Sequence, residues 1–283
     1  MTGPWDVVVG NASEPGAVMS LSRDINHIIY AAGNSLPSAA EADPIADLTQ
    51  SAGPLFSVID ACRQRGCGLT LLSSGGAVYG KAKELPIPED HPTNPLSAYG
   101  IRNLWAEKYA SMCADRFGIN LTVFRISNVY GARQPLRPSQ GIIPALLHCA
   151  AEGRPVTVYG DGRMIRDYIH APDVASAVLD VLALLAGPRV VNLGSGRGLA
   201  TLDLIAICNS VTGKEVSVRF EHARAFDVEA NILDVSLLRR LIEFNPVGIE
   251  SAIQHIWHRM ATGREAPFRR PSQEHIATAH AAG

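Results

Sequence analysis

Two short segments carry residue types that can do chemistry together. Residues 73–80, Ser-Ser-Gly-Gly-Ala-Val-Tyr-Gly, follow a predicted strand, and Tyr99 begins a predicted helix. Ligands of open α/β sheets bind outside the carboxyl ends of the strands, where a helix start can face the same crevice. Ser74 and the phenol of Tyr99 would then orient and deprotonate a substrate hydroxyl. An ordinary Ser-Gly turn and a half-buried packing tyrosine would produce the same pattern, so the residue types alone leave both interpretations open.

The elements that must position these residues alternate in type along the first half of the chain. Continuous apolar strands between helices are typical of a parallel sheet that is covered on both faces. We therefore predict an α/β fold with a Rossmann-like, doubly wound parallel sheet. The predicted strands are 5–9, 27–30, 69–72 and 121–126, and the predicted helices are 54–65, with Pro54 in the first position, and 97–117.

The second half of the chain has shorter elements and more proline, glycine and arginine. It predicts a smaller, mixed α/β substrate-binding domain. Asp173 would cap a helix that ends near residue 185, Thr201 would cap the next helix, and Gly213 would end it. Further strands are predicted at 156–159, 190–193 and 216–220, and the domains at 1–135 and at 136–265, with one strand returning to the sheet, before a loose tail at 266–283.

The composition excludes several classes of protein. With 47% hydrophobic and 18% charged residues the chain is too apolar for general disorder. Its net charge of -2 indicates neither a nucleic-acid nor a membrane-surface partner, and no apolar run approaches the ~20 residues of a membrane span. Five scattered cysteines do not form a disulfide framework, which favours a reduced, cytoplasmic protein. The nine histidines show no metal-ligand spacing, so we predict no metal.

Several motifs in a fixed order resemble one family. Over roughly residues 5–260 the chain is similar to the extended short-chain dehydrogenase/reductases, also called NAD-dependent epimerase/dehydratases. Residues 71–109 resemble the UDP-glucose 4-epimerase-like branch. The other matching motifs are Arg-Ile-Ser-Asn-Val-Tyr-Gly-Ala-Arg-Gln at 125–134, Gly-Asp-Gly at 160–162, Arg-Asp-Tyr-Ile-His at 166–170, Asn-Leu-Gly-Ser-Gly at 192–196, and residues 224–234.

The resemblance implies a catalytic and cofactor site. Tyr99, as a phenolate, would take a proton from a sugar hydroxyl while NAD accepts the hydride from the same carbon. Ser74, or the backbone of Gly75 beside it, would stand near the serine/threonine position of the family. The implied cofactor-binding residues are Ala31, Ala32, Gly33 and Tyr99.

The resemblance also implies a nucleotide-sugar partner, most simply a UDP-sugar. Asn128, Arg166 and Arg224 would face its diphosphate, with Asp227 beside them, because guanidinium groups match phosphate oxygens. Surface ion pairing of the two arginines, with Asp167 or Asp227, is the alternative. The family commonly dimerises through two helices, so a homodimer using helix 97–117 is expected.

One departure from the family affects the catalytic tyrosine. The family pattern is Tyr-x-x-x-Lys, and here Asn103 occupies the lysine position. A neutral amide cannot favour the phenolate, and the loss of a shift of about three pH units would cost on the order of 4 kcal/mol. We expect Arg102 to point about 100° around the helix from position 103 and to be a poor substitute.

A second departure affects the nucleotide half. The Gly-rich turn GxxGxxG that approaches the NAD pyrophosphate is missing, and strand 5–9 best matches the third strand of the family, as if the chain were truncated at its N-terminus. Gly10 and Gly16 have the spacing of a makeshift phosphate turn. A capped loop before a short helix is the simpler interpretation of that segment.

These observations favour an NAD-dependent nucleotide-sugar epimerase or dehydratase of the UDP-hexose 4-epimerase type, with impaired activity and doubtful NAD binding. Two alternatives stay open. One is a non-catalytic protein that binds a nucleotide sugar or pairs with an intact homologue. The other is a shortened chain that does not fold stably, because absent central strands would expose apolar faces.

Overall fold

A computed structural model describes residues 6–14, 16–21, 24–33, 37–134, 141–184, 187–224 and 226–262. Groups of one or two strands alternate with groups of one or two helices along the described chain. The strands are β1 (His27–Tyr30), β2 (Gly68–Ser74), β3 (Leu121–Ile126), β4 (Asn128–Tyr130), β5 (Val156–Tyr159), β6 (Ile165–His170), β7 (Val190–Leu193), β8 (Gly198–Ala200), β9 (Val218–Glu221) and β10 (Ala230–Asn231). The helices are α1 (Pro37–Ala42), α2 (Pro44–Arg65), α3 (Ala98–Phe117), α4 (Ile142–Glu152), α5 (Ala171–Leu182), α6 (Thr201–Thr212), α7 (Ser236–Leu241) and α8 (Ile249–Thr262).

The main sheet is parallel, with the order β1-β2-β3-β7 in the described residues. Alternate residues of β3 face opposite sides: Leu121 and Val123 pack with helices α2 and α3, whereas Phe124 and Ile126 pack with α5. A parallel sheet buried on both faces is the predicted doubly wound arrangement. Because β7 comes from the second half of the chain, the two halves interleave.

A second unit holds the remaining strands. β6 lies between β10 and β4 and also pairs with β8, while β5 pairs with β9. Helices α4, α6 and α8 supply most of its apolar core. None of the described helices is both long and apolar enough to cross a membrane.

The first predicted strand is wrong. Residues 6–9 form no strand, and Val7, Val8 and Val9 are 83%, 69% and 94% exposed, while Trp5 lies outside the described residues. A strand is stable only when its backbone groups find partners in a ladder, which a β-branched run does not guarantee. β1 is therefore the first strand of the described chain.

The predicted boundaries hold at both ends of α3 and at the end of α6 but fail at the start of α2. Ser97 caps α3 by accepting the amide of Gly100 at 3.0 Å, and Gly213 ends α6 in the left-handed conformation. Helix α2 starts ten residues before Pro54, because Asp43 caps it and Pro44 takes its first turn, leaving the buried Pro54 inside the helix.

Three further boundaries differ from the sequence prediction. Asp173 lies in the first turn of α5 and accepts the amide of Val247 at 3.0 Å, so it is not the cap. Thr201 is the first residue of α6 rather than its cap, and β9 begins at Val218 rather than at residue 216. The tail 266–283 lies outside the described residues.

A buried ion pair fastens α3 to the sheet. Arg125 Nη2 of β3 lies 2.8 Å from Glu107 Oε2 of α3, and both side chains are almost fully buried. Ser73 of β2 donates its hydroxyl to Glu107 Oε1 at 2.5 Å. Burial acts to lower the pKa of Arg125, but the carboxylate of Glu107 outweighs it and raises that pKa. One carboxylate thus holds two strands and a helix in register.

The same guanidinium extends the network across the sheet. Arg125 Nη1 donates to the hydroxyl of Tyr79 at 3.1 Å and to the carbonyl of Glu89 at 3.0 Å. The Tyr79 hydroxyl donates to Asn192 Oδ1 of β7 at 2.6 Å. Burial raises the pKa of Tyr79, so this phenol remains a neutral donor.

Removing the carboxylate should be costly. We expect Glu107→Gln to lower the free energy of unfolding by about 3 kcal/mol, because it leaves the buried Arg125 charge uncompensated. Asp115 lies on the same helix and forms an exposed pair with Arg189. Asp115→Asn should change the free energy of unfolding by less than about 0.5 kcal/mol. Urea unfolding measures both, and equal effects of the two substitutions would contradict this role of Glu107.

Candidate functional site

Ser74 ends β2 at the carboxyl edge of the main sheet. It lies opposite Ile126 in the register with β3. The amide of the next residue, Gly75, donates to the carbonyl of Ile126 at 2.8 Å, and a Cβ at Gly75 would lie 2.7 Å from Leu233 Cδ1. The Gly75 backbone is therefore occupied and has no room for a side chain. Of the two groups that the sequence suggests for this position, the hydroxyl of Ser74 is the one available.

Tyr99 lies in the first turn of α3, close to the turn that follows Ser74. A Cβ at Gly100 would lie 2.7 Å from the carbonyl oxygen of Ala77, so the glycine lets the helix start pack directly on this turn. Glu41 of α1 accepts the amide of Ala98 at 2.5 Å and holds the same helix end from the other side. The half-buried Tyr99 thus lies near the turn that follows the serine end of β2.

The side chain of Asn103 turns back onto its own helix. It is buried, and its Nδ2 donates to the carbonyl oxygen of Tyr99 at 2.8 Å. The side chain bonds to its own helix, one turn back.

Arg102 lies against Tyr99, which corrects the expected direction of its side chain. Its guanidinium carbon is 4.9 Å from the centre of the Tyr99 ring, and the residue is 7% exposed. Residues three apart on a helix are neighbours, and helical side chains lean toward the N-terminus, so the long side chain folds back over the tyrosine. Asp47 of α2 holds it, with Oδ2 3.0 Å from Nε.

The predicted cofactor residues Ala31, Ala32 and Gly33 follow β1 and are exposed. A Cβ at Gly33 would lie 3.8 Å from Arg102 Nη1. The end of β1, Arg102 and Tyr99 therefore share one part of the sheet edge. In the other predicted nucleotide segment, Gly10, Asn11, Ser13 and Glu14 are exposed, and Asn11 Oδ1 accepts the amide of Ser13 at 3.0 Å.

The small sheet brings Asn128 and Arg166 close to this edge. Asn128 of β4 lies opposite Tyr168 of β6, two residues along from Arg166. Its Nδ2 donates to the carbonyl of Asp167 at 3.0 Å. A Cβ at Gly76 would lie 4.0 Å from Asn128 Oδ1 and 3.8 Å from Ser74 Oγ, so the asparagine and the serine flank the same turn.

Arg166 and Arg224 share one carboxylate. Asp227 accepts both Nε and Nη2 of Arg224 at 2.9 Å and lies 3.7 Å from Arg166 Nη2. Arg166 also donates to the carbonyls of Ile165 and Val228, and burial lowers its pKa. Arg224 is partly exposed. The ion-pair alternative thus holds for Asp227, and two guanidinium groups against one carboxylate leave an excess positive charge.

Asp167 plays a different part from the one considered for it. Its carboxylate accepts the amides of Ser195 at 2.8 Å and Gly196 at 3.1 Å, and the hydroxyl of Ser195 at 2.7 Å, instead of pairing with an arginine. Burial raises its pKa, while these hydrogen bonds act to lower it. It fixes the loop after β7. Its place next to Arg166 in a motif is the only sequence indication of this role.

Asn231 is a second residue that sequence reasoning misses. It is buried in β10 and donates to the carbonyl of Gly75 at 3.1 Å. It therefore ties the arginine sheet to the serine turn. A lone asparagine in a two-residue strand carries no distinguishing pattern.

Comparison with known proteins settles the family. The model of the NAD dependent epimerase/dehydratase family matches residues 5–194. The chain belongs to this family. The UDP-glucose 4-epimerase of Lacticaseibacillus casei is 29% identical over 252 residues, which cover 83% of this chain and 76% of that relative.

Solved structures of the same branch resemble the chain closely. The Thermotoga maritima UDP-glucose 4-epimerase, solved with UDP-glucose, has a TM-score of 0.82 at 28% identity and covers 87% of this chain and 80% of that one. The Thermus thermophilus UDP-glucose 4-epimerase, a complex with NAD, has a TM-score of 0.78 at 28% identity, covering 84% and 78%. The predicted fold and the UDP-glucose 4-epimerase-like branch are confirmed.

The described residues fit NAD, the cofactor of the family, at one end only. Ala31, Ala32 and Gly33 leave an open edge beside Tyr99, and the Arg102 guanidinium next to it suits ribose or phosphate oxygens. The segment from Gly10 to Gly16 does not fit a pyrophosphate, because the described residues before it form no strand. The makeshift phosphate turn is therefore not supported, and the described residues 16–20 form turns rather than the short helix of the simpler interpretation.

His170 makes the free energy of unfolding depend on pH. It ends β6 with its ring 5.5 Å from that of Tyr130, and burial, with His255 nearby, lowers its pKa to about 4 from 6.5. The unfolded chain therefore takes up the proton first. Its contribution is complete above pH 6.5 and is lost as the pH falls from 6.5 to 4.

We expect His170→Gln to reduce the loss of unfolding free energy between pH 7 and pH 4 by about 3 kcal/mol, the value of a shift of about 2.5 pH units. Urea unfolding at a series of pH values measures the slope. The exposed His258, replaced by glutamine, should keep the parent slope. A parent slope in the His170 variant would show that this imidazole does not carry the effect.

Proposed function

We propose that the chain binds a UDP-hexose at the carboxyl edge of its sheet and acts as a UDP-glucose 4-epimerase-like enzyme with reduced turnover. The observation that carries this is the packing of the α3 start on the turn after Ser74, which puts Tyr99 and Ser74 at one edge. The likeness to the Thermotoga maritima 4-epimerase solved with UDP-glucose supports the choice of ligand.

The two residues have complementary roles in this proposal. Tyr99 accepts the proton of the sugar hydroxyl, and Ser74 donates a hydrogen bond that orients the same oxygen. The chemistry that NAD supplies in this family is reversible hydride transfer. The chain's own contribution is to hold the sugar so that either face of one carbon can be presented.

The diphosphate has a natural position beside the paired arginines. Arg224 is partly exposed, its guanidinium lies 4.7 Å from the Tyr159 ring centre and 5.0 Å from that of Phe226, and Asp227 fixes it. A preorganised guanidinium loses little side-chain entropy when a phosphate binds. Asn128 completes this side as a neutral hydrogen-bonding group.

Reduced turnover follows from Asn103. A neutral amide bonded to the Tyr99 carbonyl offers no charge to the developing phenolate, and the missing lysine would cost on the order of 4 kcal/mol in the barrier. The same observation favours a second candidate, a family member that binds the nucleotide sugar without converting it.

Turnover distinguishes the two candidates. With UDP-glucose and NAD we expect the chain to form the 4-epimer about 10³-fold more slowly than the Thermotoga maritima enzyme, because about 4 kcal/mol corresponds to that factor. Tyr99→Phe should abolish the residual rate, and Tyr109→Phe on the same helix should preserve it. Asn103→Lys alone should not restore the rate of the relative.

Nuclear magnetic resonance of the sugar products measures these rates. UDP-glucose binding without any epimer would favour the non-catalytic candidate. A residual rate that survives Tyr99→Phe would exclude the proposed site.

We also propose a homodimer through α2 and α3. Phe56 of α2 is 44% exposed and contacts Trp105 and Tyr109 of α3, with ring centres 5.9 and 5.0 Å away. The exposed Ile101 and Met112 extend the apolar surface along α3. Aromatic patches that span two packed helices are typical of protein–protein interfaces.

A charge in this patch should dissociate the dimer. We expect Phe56→Glu to shift the protein from dimer to monomer in analytical ultracentrifugation at micromolar concentration. Phe220→Glu, at an exposed phenylalanine of β9, should leave the dimer intact. A monomeric parent, or a dimeric Phe56→Glu variant, would contradict this interface.

A reducing compartment such as the cytoplasm suits the chain in our proposal. All five cysteines are unpaired and buried. Burial raises the pKa of Cys62, with Cys67 beside it, and of Cys208 to about 12, so these thiols stay protonated. Such thiols resist oxidation and metal binding.

A further inference from the structure

We propose that Arg102, held by Asp47, is the positioning residue of the Tyr99 site and the cation that this chain offers to NAD in place of a residue at 103. This inference rests on the proposed function. It assigns the positive charge of the site to the residue three positions after the tyrosine. Nothing in the motif pattern indicates that assignment, because the pattern points to Asn103.

The placement of the guanidinium is the first argument. It lies over the face of the Tyr99 ring at 4.9 Å and next to Gly33 at the end of β1. A cation over an aromatic face is attracted by the negative ring quadrupole, so it limits the rotation of the ring. Arg102 therefore contacts both the tyrosine and the edge where Ala31, Ala32 and Gly33 are exposed.

The second argument is the way in which Arg102 is anchored. Asp47 pairs with Nε at 3.0 Å, and Ser51 accepts from Nη1 at 3.4 Å, both from α2. These contacts come from α2, whereas Gly33 lies at the end of β1 and Tyr99 lies one turn earlier on α3. A guanidinium presents five donors in a rigid fork, so an anchored arginine keeps donors for ribose or phosphate oxygens.

The third argument concerns energy. Asp47 and Arg102 are both buried, and burying an ion pair costs desolvation that its Coulomb attraction barely repays. The pair therefore adds little to folding compared with apolar residues of the same shape. Its position beside the tyrosine, at the edge of the sheet, gives the charge a role in binding.

Neighbouring groups agree with a positive charge at this point. Tyr30 ends β1, and burial raises its pKa while the nearby Arg102 acts to lower it. Asn103 is turned away to the carbonyl of Tyr99, so it neither competes for the cofactor nor neutralises the guanidinium. Glu41, the other acid near the helix start, is engaged by the amide of Ala98.

The test compares NAD and UDP-glucose binding by isothermal titration calorimetry with the full chain. We expect Arg102→Gln to weaken NAD binding about tenfold, the value of one charge-assisted contact, and to change UDP-glucose binding less than about twofold. Arg102→Lys should recover part of the loss. Arg116→Gln, at the exposed end of the same helix, should match the parent.

Position 103 supplies the sharper comparison. Asn103→Lys should restore most of the NAD affinity in the Arg102→Gln background, where it returns a cation, and should add nothing to the parent, where one is present. If Arg102→Gln does not fold, the double variant Asp47→Asn/Arg102→Gln removes both charges, keeps the shape of the pair, and should show the same loss.

The outcomes separate the two proposals. Unchanged NAD affinity in a folded Arg102→Gln variant, or a gain from Asn103→Lys in the parent equal to that in the variant, overturns the role of Arg102 alone. A parent that binds UDP-glucose but not NAD overturns it too and leaves nucleotide-sugar binding intact. A parent that binds neither ligand overturns the proposed function as well.

Discussion

The buried pair of Glu107 and Arg125 is the constraint on which the site depends. Its carboxylate takes the hydroxyl of Ser73 in β2 and the guanidinium from β3, while its own residue belongs to α3. β2, β3 and α3 are thus held in a fixed position relative to one another. A buried charge tolerates no slip, because a shift of one residue would leave it without its partner in a medium of low polarity. Ser74, the next residue of β2, takes its position from that fixed neighbour.

Close backbone approach transmits this constraint to the other end of the helix. With Glu107 fixed, α3 can begin where it does only because Gly100 lets it pack against the Ala77 carbonyl. Asn231 makes a comparable link from the second unit by bonding to the Gly75 carbonyl. The serine turn is therefore the meeting point of the two units. Under the proposed function this turn would carry the chemistry, as loops held by a rigid scaffold commonly do.

The parts of the fold that local physics decides could be predicted from the sequence. β3 is a continuous, largely apolar segment. α3 begins at the side-chain cap of Ser97 and ends at the left-handed Gly118, both of which are adjacent to it in the chain. The strand at 6–9 could not be predicted correctly, since its formation depends on a neighbour that a short apolar run does not specify. The contact between Arg102 and Tyr99 was missed because the direction of Arg102 was considered relative to position 103 and not relative to Tyr99, one turn back.

In the proposed function, the two clusters of positive charge serve different ligands because their balance of charge differs. Arg102 has one carboxylate of its own, Asp47, and in our proposal its remaining donors serve the ribose and phosphate oxygens of NAD. Arg166 and Arg224 share Asp227, and the surplus charge suits a doubly charged diphosphate. Under the proposed function, the placement of Asp227 between Arg166 and Arg224 would therefore draw the diphosphate to that side and leave the sugar next to Tyr99.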